Sequence, residues 1–232
     1  MDNLSIVIYS ANFGNYREEV KNGIDNIFFE NGIDYIFFTD DKEIKSKYWN
    51  IIYVDLQPEL EFIDAFRHTS KYIKFSVPEI IKKYDIIIWI DTKNLDKIFF
   101  DKNKIIKLFN NKNNIFFIKH ECRINAQEEL EATLKFKLEH LYNGNIFLNE
   151  IRNINFTACL PDTNCIVYMN TLDNILLLRD IYNTLILKGL RRDQNVIQYV
   201  WLKNNYEDKI SYFNFADLQH IKVIDELIKE IL

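Results

Sequence analysis

Residues 84–94 run Tyr-Asp-Ile-Ile-Ile-Trp-Ile-Asp-Thr-Lys-Asn, a series of β-branched and aromatic residues that ends in an acid, a hydroxyl, a base and an amide. An apolar run of this length with polar ends predicts a strand that is buried on both faces. In open α/β sheets, ligands bind beyond the carboxyl ends of such strands. We therefore expect Asp91 and Lys93 to lie at a ligand site, the alternative being an ordinary strand followed by a polar turn.

The composition favours one α/β domain over residues 1–232 and argues against several classes of protein. Of the 232 residues, 48% are hydrophobic, which is enough to build one core. The net charge of -5 argues against a nucleic-acid partner, since nucleic-acid-binding domains usually carry a basic stripe. Three cysteines without metal-type spacing favour a reducing compartment. No apolar run reaches the roughly 18 residues of a membrane span, so we expect a soluble, cytoplasmic protein.

Apolar periodicity predicts strands that alternate with helices through the first half of the chain. Strands are expected at residues 4–10, 34–38, 49–54, within 84–94, and at 115–118, 165–169 and 210–215. Helices are expected at residues 16–29, 61–83 with a break at Pro78, 103–110, 126–142 ended by Gly144, 172–187 and 193–203. This alternation predicts a Rossmann-like α/β domain with a mixed, mostly parallel central sheet flanked by helices.

Polar side chains recur where predicted strands end. Residues 11–15, Ala-Asn-Phe-Gly-Asn, match neither the dinucleotide-binding nor the P-loop fingerprint, and nucleophile-elbow and zinc-protease motifs are also absent from the sequence. Instead, the strand ends carry Asn12, Asp40, Asp91 with Lys93, and His120 with Arg123. If they converge on one crevice, carboxylates would suit ribose hydroxyls and cations would suit a diphosphate.

Short segments in a fixed order carry a resemblance to a known family. They are residues 9–16, 38–40, Trp49, 71–74, 89–93, His120 with Arg123 and Glu128, and 192–194. In this order they resemble the mucilage-related glycosyltransferase-like family, formerly a domain of unknown function, of the GT-A nucleotide-diphospho-sugar transferase superfamily. The resemblance spans roughly residues 9–200. It implies a glycosyltransferase that moves a sugar from a nucleotide-diphosphate sugar, expected to be a UDP-sugar, to a hydroxyl acceptor such as a glycan.

The resemblance implies a nucleotide-binding half at about residues 1–95 and an acceptor and catalytic half at about residues 96–215. Donor contacts are expected from Ala11, Asn12, Phe13, Asp40, Lys71, Lys74, Asp91, Lys93, Arg123, Asp162, Asn164 and Gln194. Lys71, Lys74 and Arg67 share one predicted helical face, a basic stripe suited to a pyrophosphate. The alternatives are a solvated basic face and, for Asp40, a turn or helix cap.

The metal is the point at which the chain departs from the GT-A pattern. Asp91 takes the first position of the acid-x-acid motif that holds ribose and a divalent ion in these enzymes, but the third position is Lys93. A protonated lysine cannot bind Mn²⁺ or Mg²⁺, whereas its ammonium would neutralise a diphosphate directly. Both a metal at Asp91 and metal-independent use of Lys93 stay open.

Asp193, His120 and Glu128 are the residues expected to act in catalysis. The resemblance places Asp193 near the anomeric carbon, as the acceptor's base in an inverting enzyme or as an interacting carboxylate in a retaining one. A pair with Arg192 would lower the pKa of Asp193 and suit hydrogen bonding better than proton abstraction. His120 would orient an acceptor hydroxyl or stabilise the leaving phosphate. The alternatives are a helix N-cap for Asp193, a structural His120 and a helix-supporting Glu128.

Two further functions fit the sequence. A non-catalytic carbohydrate- or protein-binding module on a decayed transferase fold is favoured by the missing second acid, and it would have no turnover for an Asp91→Ala or Asp193→Ala substitution to remove. A nucleotide-sugar hydrolase would release free sugar without an acceptor. A lipid hydrolase is not supported, because the sequence has neither a nucleophile motif nor a metal-binding cluster.

Overall fold

A seven-stranded sheet forms the centre of the protein. The computed structural model describes residues 4–14, 20, 24–25, 29–55, 62–95, 100–109, 115–214 and 217. The strands are β1 Ile6–Asn12, β2 Asp34–Thr39, β3 Asn50–Tyr53, β4 Ile86–Ile90, β5 Ile115–Lys119, β6 Pro161–Met169 and β7 Ile210–Phe213. Their order across the sheet is β3-β2-β1-β4-β6-β5-β7. Because β6 runs antiparallel to both of its neighbours and the other pairings are parallel, the prediction of a mixed, mostly parallel sheet is confirmed.

Helices flank the sheet. They are α1 Phe62–Ser76, α2 Lys102–Leu108, α3 Ala126–Lys135, α4 Leu141–Ile151, α5 Leu172–Leu187 and α6 Ile197–Asn204, and 3₁₀ turns form at Thr92–Asn94, Asp193–Asn195 and Glu207–Lys209. Most of the helix predicted at residues 16–29 lies outside the described residues. None of the helices in the described part of the chain is long and apolar enough to cross a lipid bilayer.

Strand β4 is the buried strand that the opening stretch of sequence predicts. It lies between β1 and β6, and none of its five residues exposes more than 2% of its surface. Its side chains alternate between two cores: Ile87 and Trp89 pack in the same cluster as residues of α1 and α5, whereas Ile86, Ile88 and Ile90 pack on the other side with α2. Each buried isoleucine contributes about 2 kcal/mol, so β4 gives its carboxyl end a rigid support.

The single helix predicted at residues 126–142 is wrong, because the chain forms α3 and α4 instead. Lys137 adopts a left-handed backbone with φ 57°, which an α-helix cannot continue through. Gly144 does not end a helix but lies inside α4, and a Cβ there would come within 2.6 Å of the Leu134 side chain. The glycine therefore lets α3 and α4 pack closely.

Three other boundaries differ from the sequence prediction. The break near Pro78 is found, but residues 78–83 form turns rather than a second helix, since Val77 has φ 51°. The segment 162–164, expected in a loop, belongs to β6. The helix expected at 193–203 starts as a 3₁₀ turn before α6 begins at Ile197.

Candidate active site

A cleft of about 240 Å³ lies where the parallel strands β1 and β4 end. Residues from β1, α1, β4, β6 and the segment before α6 meet there. The predicted site residues that line it are Ala11, Asn12, Phe13, Lys71, Lys74, Asp91, Lys93, Asn164, Asp193 and Gln194. Asp40, His120, Arg123, Glu128 and Asp162 are not among its lining residues. The topology thus brings most of the predicted set together, although the role of each residue stays a prediction.

Two ammonium groups hold Asp193 in the cleft. Lys71 Nζ donates to Asp193 Oδ1 at 2.6 Å and Lys74 Nζ donates to Oδ2 at 2.9 Å. The Asp193 side chain is only 4% exposed and that of Lys74 only 1%. The carboxylate is therefore tied to two adjacent turns of α1, and it does not cap a helix.

The charge of Asp193 is fixed by these neighbours. Burial by itself would raise the pKa of its carboxyl, but the ammonium groups of Lys71 and Lys74 outweigh burial and hold that pKa well below its ordinary value. Burial likewise opposes the charged form of Lys74, yet Asp193 and Asp91 raise the pKa of its ammonium. The guanidinium of Arg192, which the sequence suggested could pair with Asp193, instead contacts Gln194 Oε1 and the carboxylate of Glu129.

Asp91 is oriented by groups on three sides. Trp89 Nε1 donates to Asp91 Oδ1 at 2.8 Å, and the Asp91 backbone amide donates to the carbonyl of Asn164 at 2.7 Å. Lys74 Nζ lies 3.7 Å from the same Oδ1. The Asp91 side chain lines the cleft and keeps 30% of its surface exposed, so it is accessible to a ligand.

The residues at Asp91 do not fit a divalent metal ion. Its Oδ1 already accepts from Trp89 and lies beside the Lys74 ammonium, and Lys93 holds the position of the second acid. Within the described ranges, no group of three or more His, Cys, Asp or Glu side chains is arranged to hold an ion. Lysine and arginine side chains line the cleft beside Asp91.

Asp40 supports the loop that follows β1. Both of its carboxylate oxygens accept from the backbone amide of Gly14, at 2.9 and 3.2 Å. Gly14 has φ 63°, and a Cβ there would lie 2.5 Å from the Phe66 ring, so only glycine fits. Thr92 Oγ1 donates to the carbonyl of Ala11 at 2.9 Å and ties the same loop to the end of β4. Asp40 therefore does not line the cleft but holds the loop whose residues Asn12 and Phe13 do.

A buried carboxylate that the sequence did not reveal holds the loop before α6. Glu139 is 2% exposed, and its oxygens accept from the backbone amides of His140, Arg191 and Arg192 and from Asn195 Nδ2. Asp193 lies between these anchored positions. Glu139 falls within the helix predicted at 126–142, where a glutamate is expected on the solvent side, so no local signal marked it.

His120 and Arg123 belong to a second polar cluster, centred on Glu129, and neither they nor Glu128 line the cleft. His120 Nδ1 accepts from the backbone amides of Cys122 and Arg123, and Arg123 Nη1 donates to the fully buried Glu129 at 2.7 Å. The Glu128 amide donates to Asn125 Oδ1, which caps the start of α3, and the Glu128 carboxylate accepts from the amide of Ile124, the residue before the cap. These contacts stabilise the connection from β5 to α3, and the catalytic roles predicted for them stay predictions.

Two of the predicted donor contacts, Asp162 and Gln194, mainly bind other protein groups. Asp162 accepts from the amide and the side chain of Asn164, which turns Asn164 toward the cleft. Gln194 accepts from Arg192 at 2.9 Å. Cleft residues that were not predicted include Ser70, Thr92, Leu138 and Arg191. Helical spacing would have indicated Ser70 alone, which lies three residues after Arg67 and four before Lys74.

Comparison with known proteins identifies the fold. Mouse xyloside xylosyltransferase 1 in its apo form superimposes with a TM-score of 0.53 at 10% identity, over 90% of this chain and 85% of that chain. Core-mannan synthase A from Aspergillus fumigatus, in its Mn/GDP form, superimposes with a TM-score of 0.52 at 11% identity, over 94% of this chain and 75% of that chain. The fold is that of the GT-A glycosyltransferases. No protein-family model and no curated protein matches the sequence.

Proposed function

We propose that the protein is a glycosyltransferase that moves a sugar from a nucleotide-diphosphate sugar to a hydroxyl acceptor. The observation that carries this proposal is the charge of the cleft: six cationic side chains and two carboxylates line it at the carboxyl ends of β1 and β4. An anionic diphosphate suits such an excess of positive charge. A GT-A fold with the ligand crevice at this edge of the sheet gives independent support.

Each group of side chains has a distinct part in this proposal. Arg67 and Lys93 line the cleft without a hydrogen bond or ion pair to another described residue, so they are free to bind phosphate oxygens. Asn12 and Phe13 on the β1 loop are assigned to the nucleoside, and Asp91 to its ribose.

In the transfer, the bond from the anomeric carbon to the diphosphate breaks with its electron pair left on the phosphate oxygen. The acceptor oxygen bonds to that carbon, and its proton passes to the departing diphosphate.

Asp193 is assigned to the sugar rather than to proton abstraction. The lysines hold the pKa of its carboxyl far below neutrality, and a carboxylate with so low a pKa is a weak base. It is instead suited to accept hydrogen bonds from sugar hydroxyls and to stabilise positive charge at the anomeric carbon. That charge develops in the transition state, which is where fixed electrostatic groups accelerate a reaction.

The donor and the acceptor are proposed at the level of class. A UDP-sugar and a glycan follow from the resemblance to the mucilage-related family, which we carry forward as part of the proposal. The fungal structural neighbour is described with Mn and GDP, so a GDP-sugar belongs in any donor screen.

The test is a turnover assay with a panel of UDP- and GDP-sugars and a mixture of oligosaccharide acceptors, in which release of the nucleoside diphosphate is measured. We expect release with at least one donor, and its loss in Asp193→Asn. Asp208→Asn is the matched control, because Asp208 is an exposed acid in a surface turn. Release that is equal in the two variants would contradict the role assigned to Asp193. Release that is absent with every donor, while donors still bind, would favour the binding-module alternative. Release that ignores added acceptor would indicate a hydrolase.

A further inference from the structure

Lys74 places a buried positive charge between the two carboxylates of the cleft. Its Nζ lies 2.9 Å from Asp193 Oδ2 and 3.7 Å from Asp91 Oδ1. The ammonium also lies 5.2 Å from the centre of the Phe75 ring and 5.6 Å from that of Trp89, within the range of a cation–π contact. With 1% of its side chain exposed, this charge cannot move away into solvent.

Neutralising Asp193 does not by itself require Lys74. Lys71 already donates to Asp193 at 2.6 Å, so one carboxylate has one partner before Lys74 is counted. The second ammonium is shared with Asp91, the residue at the end of β4 that would otherwise be the first ligand of a metal. A divalent ion bound to Asp91 would share that carboxylate with a fixed ammonium, and the two cations would repel each other across a few ångströms.

We propose that Lys74, together with Lys71 and Lys93, replaces the divalent cation, so that the donor diphosphate binds in this cleft without metal. This inference rests on the proposed function and adds to it the nature of the cation. Lys71 and Lys74 neutralise Asp193 and Asp91, which for Asp91 is the task of a metal ion in the acid-x-acid motif, while Lys93 and Arg67 supply the further positive charge that a diphosphate needs. Ammonium and guanidinium groups bind phosphate oxygens directly.

The experiment is calorimetric titration of the full chain with UDP and with GDP, once in EDTA and once in excess Mn²⁺. We expect at least one of the two to bind, with dissociation constants in the two buffers that agree within threefold. A threefold or larger gain of affinity in Mn²⁺ would overturn the inference and leave the proposed function standing. If neither nucleotide binds in either buffer, the proposed function fails and the inference fails with it.

A pair of variants tests whether the Lys74 ammonium contributes to nucleotide binding. Lys74→Met keeps the length of the side chain and removes its charge, and we expect the affinity in EDTA to fall at least fivefold. Lys82→Met is the control, since Lys82 lies in a turn outside the cleft and pairs with the exposed Glu79. A fall smaller than fivefold in Lys74→Met, or an equal fall in Lys82→Met, would contradict a role for Lys74. Should Lys74→Met not fold, the half-exposed Lys93 takes its place as Lys93→Met, with the same threshold.

Discussion

Asp193 is a buried charge in the cleft that needs counter-charges close to it. A carboxylate that is 4% exposed is stable only when its charge is matched, and Lys71 and Lys74 match it from one face of α1. The same pairing leaves the carboxylate permanently charged and rigidly held. A group of this kind can stabilise a cationic transition state without reorganising.

Asp193→Asn separates the charge of this residue from its shape. We expect it to lower the free energy of unfolding by about 3 kcal/mol, because the buried Lys74 loses its closest counter-charge. Urea denaturation measures this change, and Asp208→Asn should change it by less than about 0.5 kcal/mol. If both variants unfold at the same urea concentration, the ion pairs at Asp193 contribute nothing to stability.

The pH dependence of stability follows from the same pairing. Because the folded-state pKa of Asp193 lies below its unfolded value of about 3.9, its contribution is complete above that pH and is lost as the pH falls toward the folded value. The difference in unfolding free energy between wild type and Asp193→Asn should therefore be constant from about pH 5 to pH 7 and shrink below about pH 4. A difference that grows on acidification would mean that the pKa is raised instead.

Sequence alone predicted that Asp91, Lys93 and the basic face of α1 would lie at one cleft, because each follows from a local pattern. The polar end of an apolar run marks a strand end, and positions 67, 71 and 74 share a helical face. The partners of Lys74 are separated from it by 17 and 119 residues, so no spacing rule could pair them. For that reason the sequence suggested a possible pair between the neighbours Arg192 and Asp193, whereas the fold pairs Asp193 with Lys71 and Lys74.

The loop between α5 and α6 depends on one glutamate. Glu139 accepts hydrogen bonds from amides on both sides of Asp193, and Asn143 Nδ2 donates to the carbonyl of Gly189 at the start of the loop. Three donors from the loop to one buried carboxylate fix the loop far better than solvent would. The position of Asp193 is thus set from α4 and its preceding turn as well as from α1.

Glu139→Gln tests this loop. The amide presents one acceptor and one donor, so it cannot accept all four hydrogen bonds, and we expect a loss of about 2 kcal/mol in unfolding free energy. In turnover assays kcat should fall more than KM rises, because Asp193 is displaced while the diphosphate contacts stay. Glu131→Gln, on the exposed face of α3, serves as the control and should leave both quantities unchanged.

Gly14→Ala tests the β1 loop against Gly32→Ala. Both glycines have positive φ, so each substitution costs about 1 kcal/mol of backbone strain. At Gly14 the new methyl group also meets the Phe66 ring, whereas at Gly32 it meets the flexible end of Lys102. We expect Gly14→Ala to cost about 2 kcal/mol more in thermal unfolding and to weaken nucleotide binding. Equal losses of stability in the two variants would show that the Phe66 ring can move away from the new methyl group without a measurable energetic penalty.

Helices and strands were predictable from the sequence where the apolar residues follow a single helical or strand periodicity. They were not predictable where contacts between distant residues determine the local structure. Helix α5 was predicted at its observed bounds, and β4 within its apolar run. The break between α3 and α4 was missed because Lys137, not a glycine or proline, takes the left-handed conformation. Gly144 was misplaced because its function is close packing against Leu134, which a sequence does not display.

At the scale of the whole molecule, the chain is acidic while its cleft is cationic. The net charge is -5, yet six of the cleft's charged side chains are positive and two are negative. Such a contrast concentrates a small anionic ligand at the cleft by electrostatic attraction that salt screens. Composition predicted the class of fold and argued against nucleic acid, but only the topology brings the scattered cations together.

A crystal structure in complex with UDP or GDP, whichever binds more tightly, decides whether this cleft holds a nucleotide donor. We predict that the diphosphate lies within hydrogen-bond distance of Lys93 and at least one of Lys71 and Arg67, with the nucleoside against the Asn12–Phe13 loop and Asp91. A diphosphate bound elsewhere on the protein, or in this cleft without contact to these cations, would contradict the proposed site.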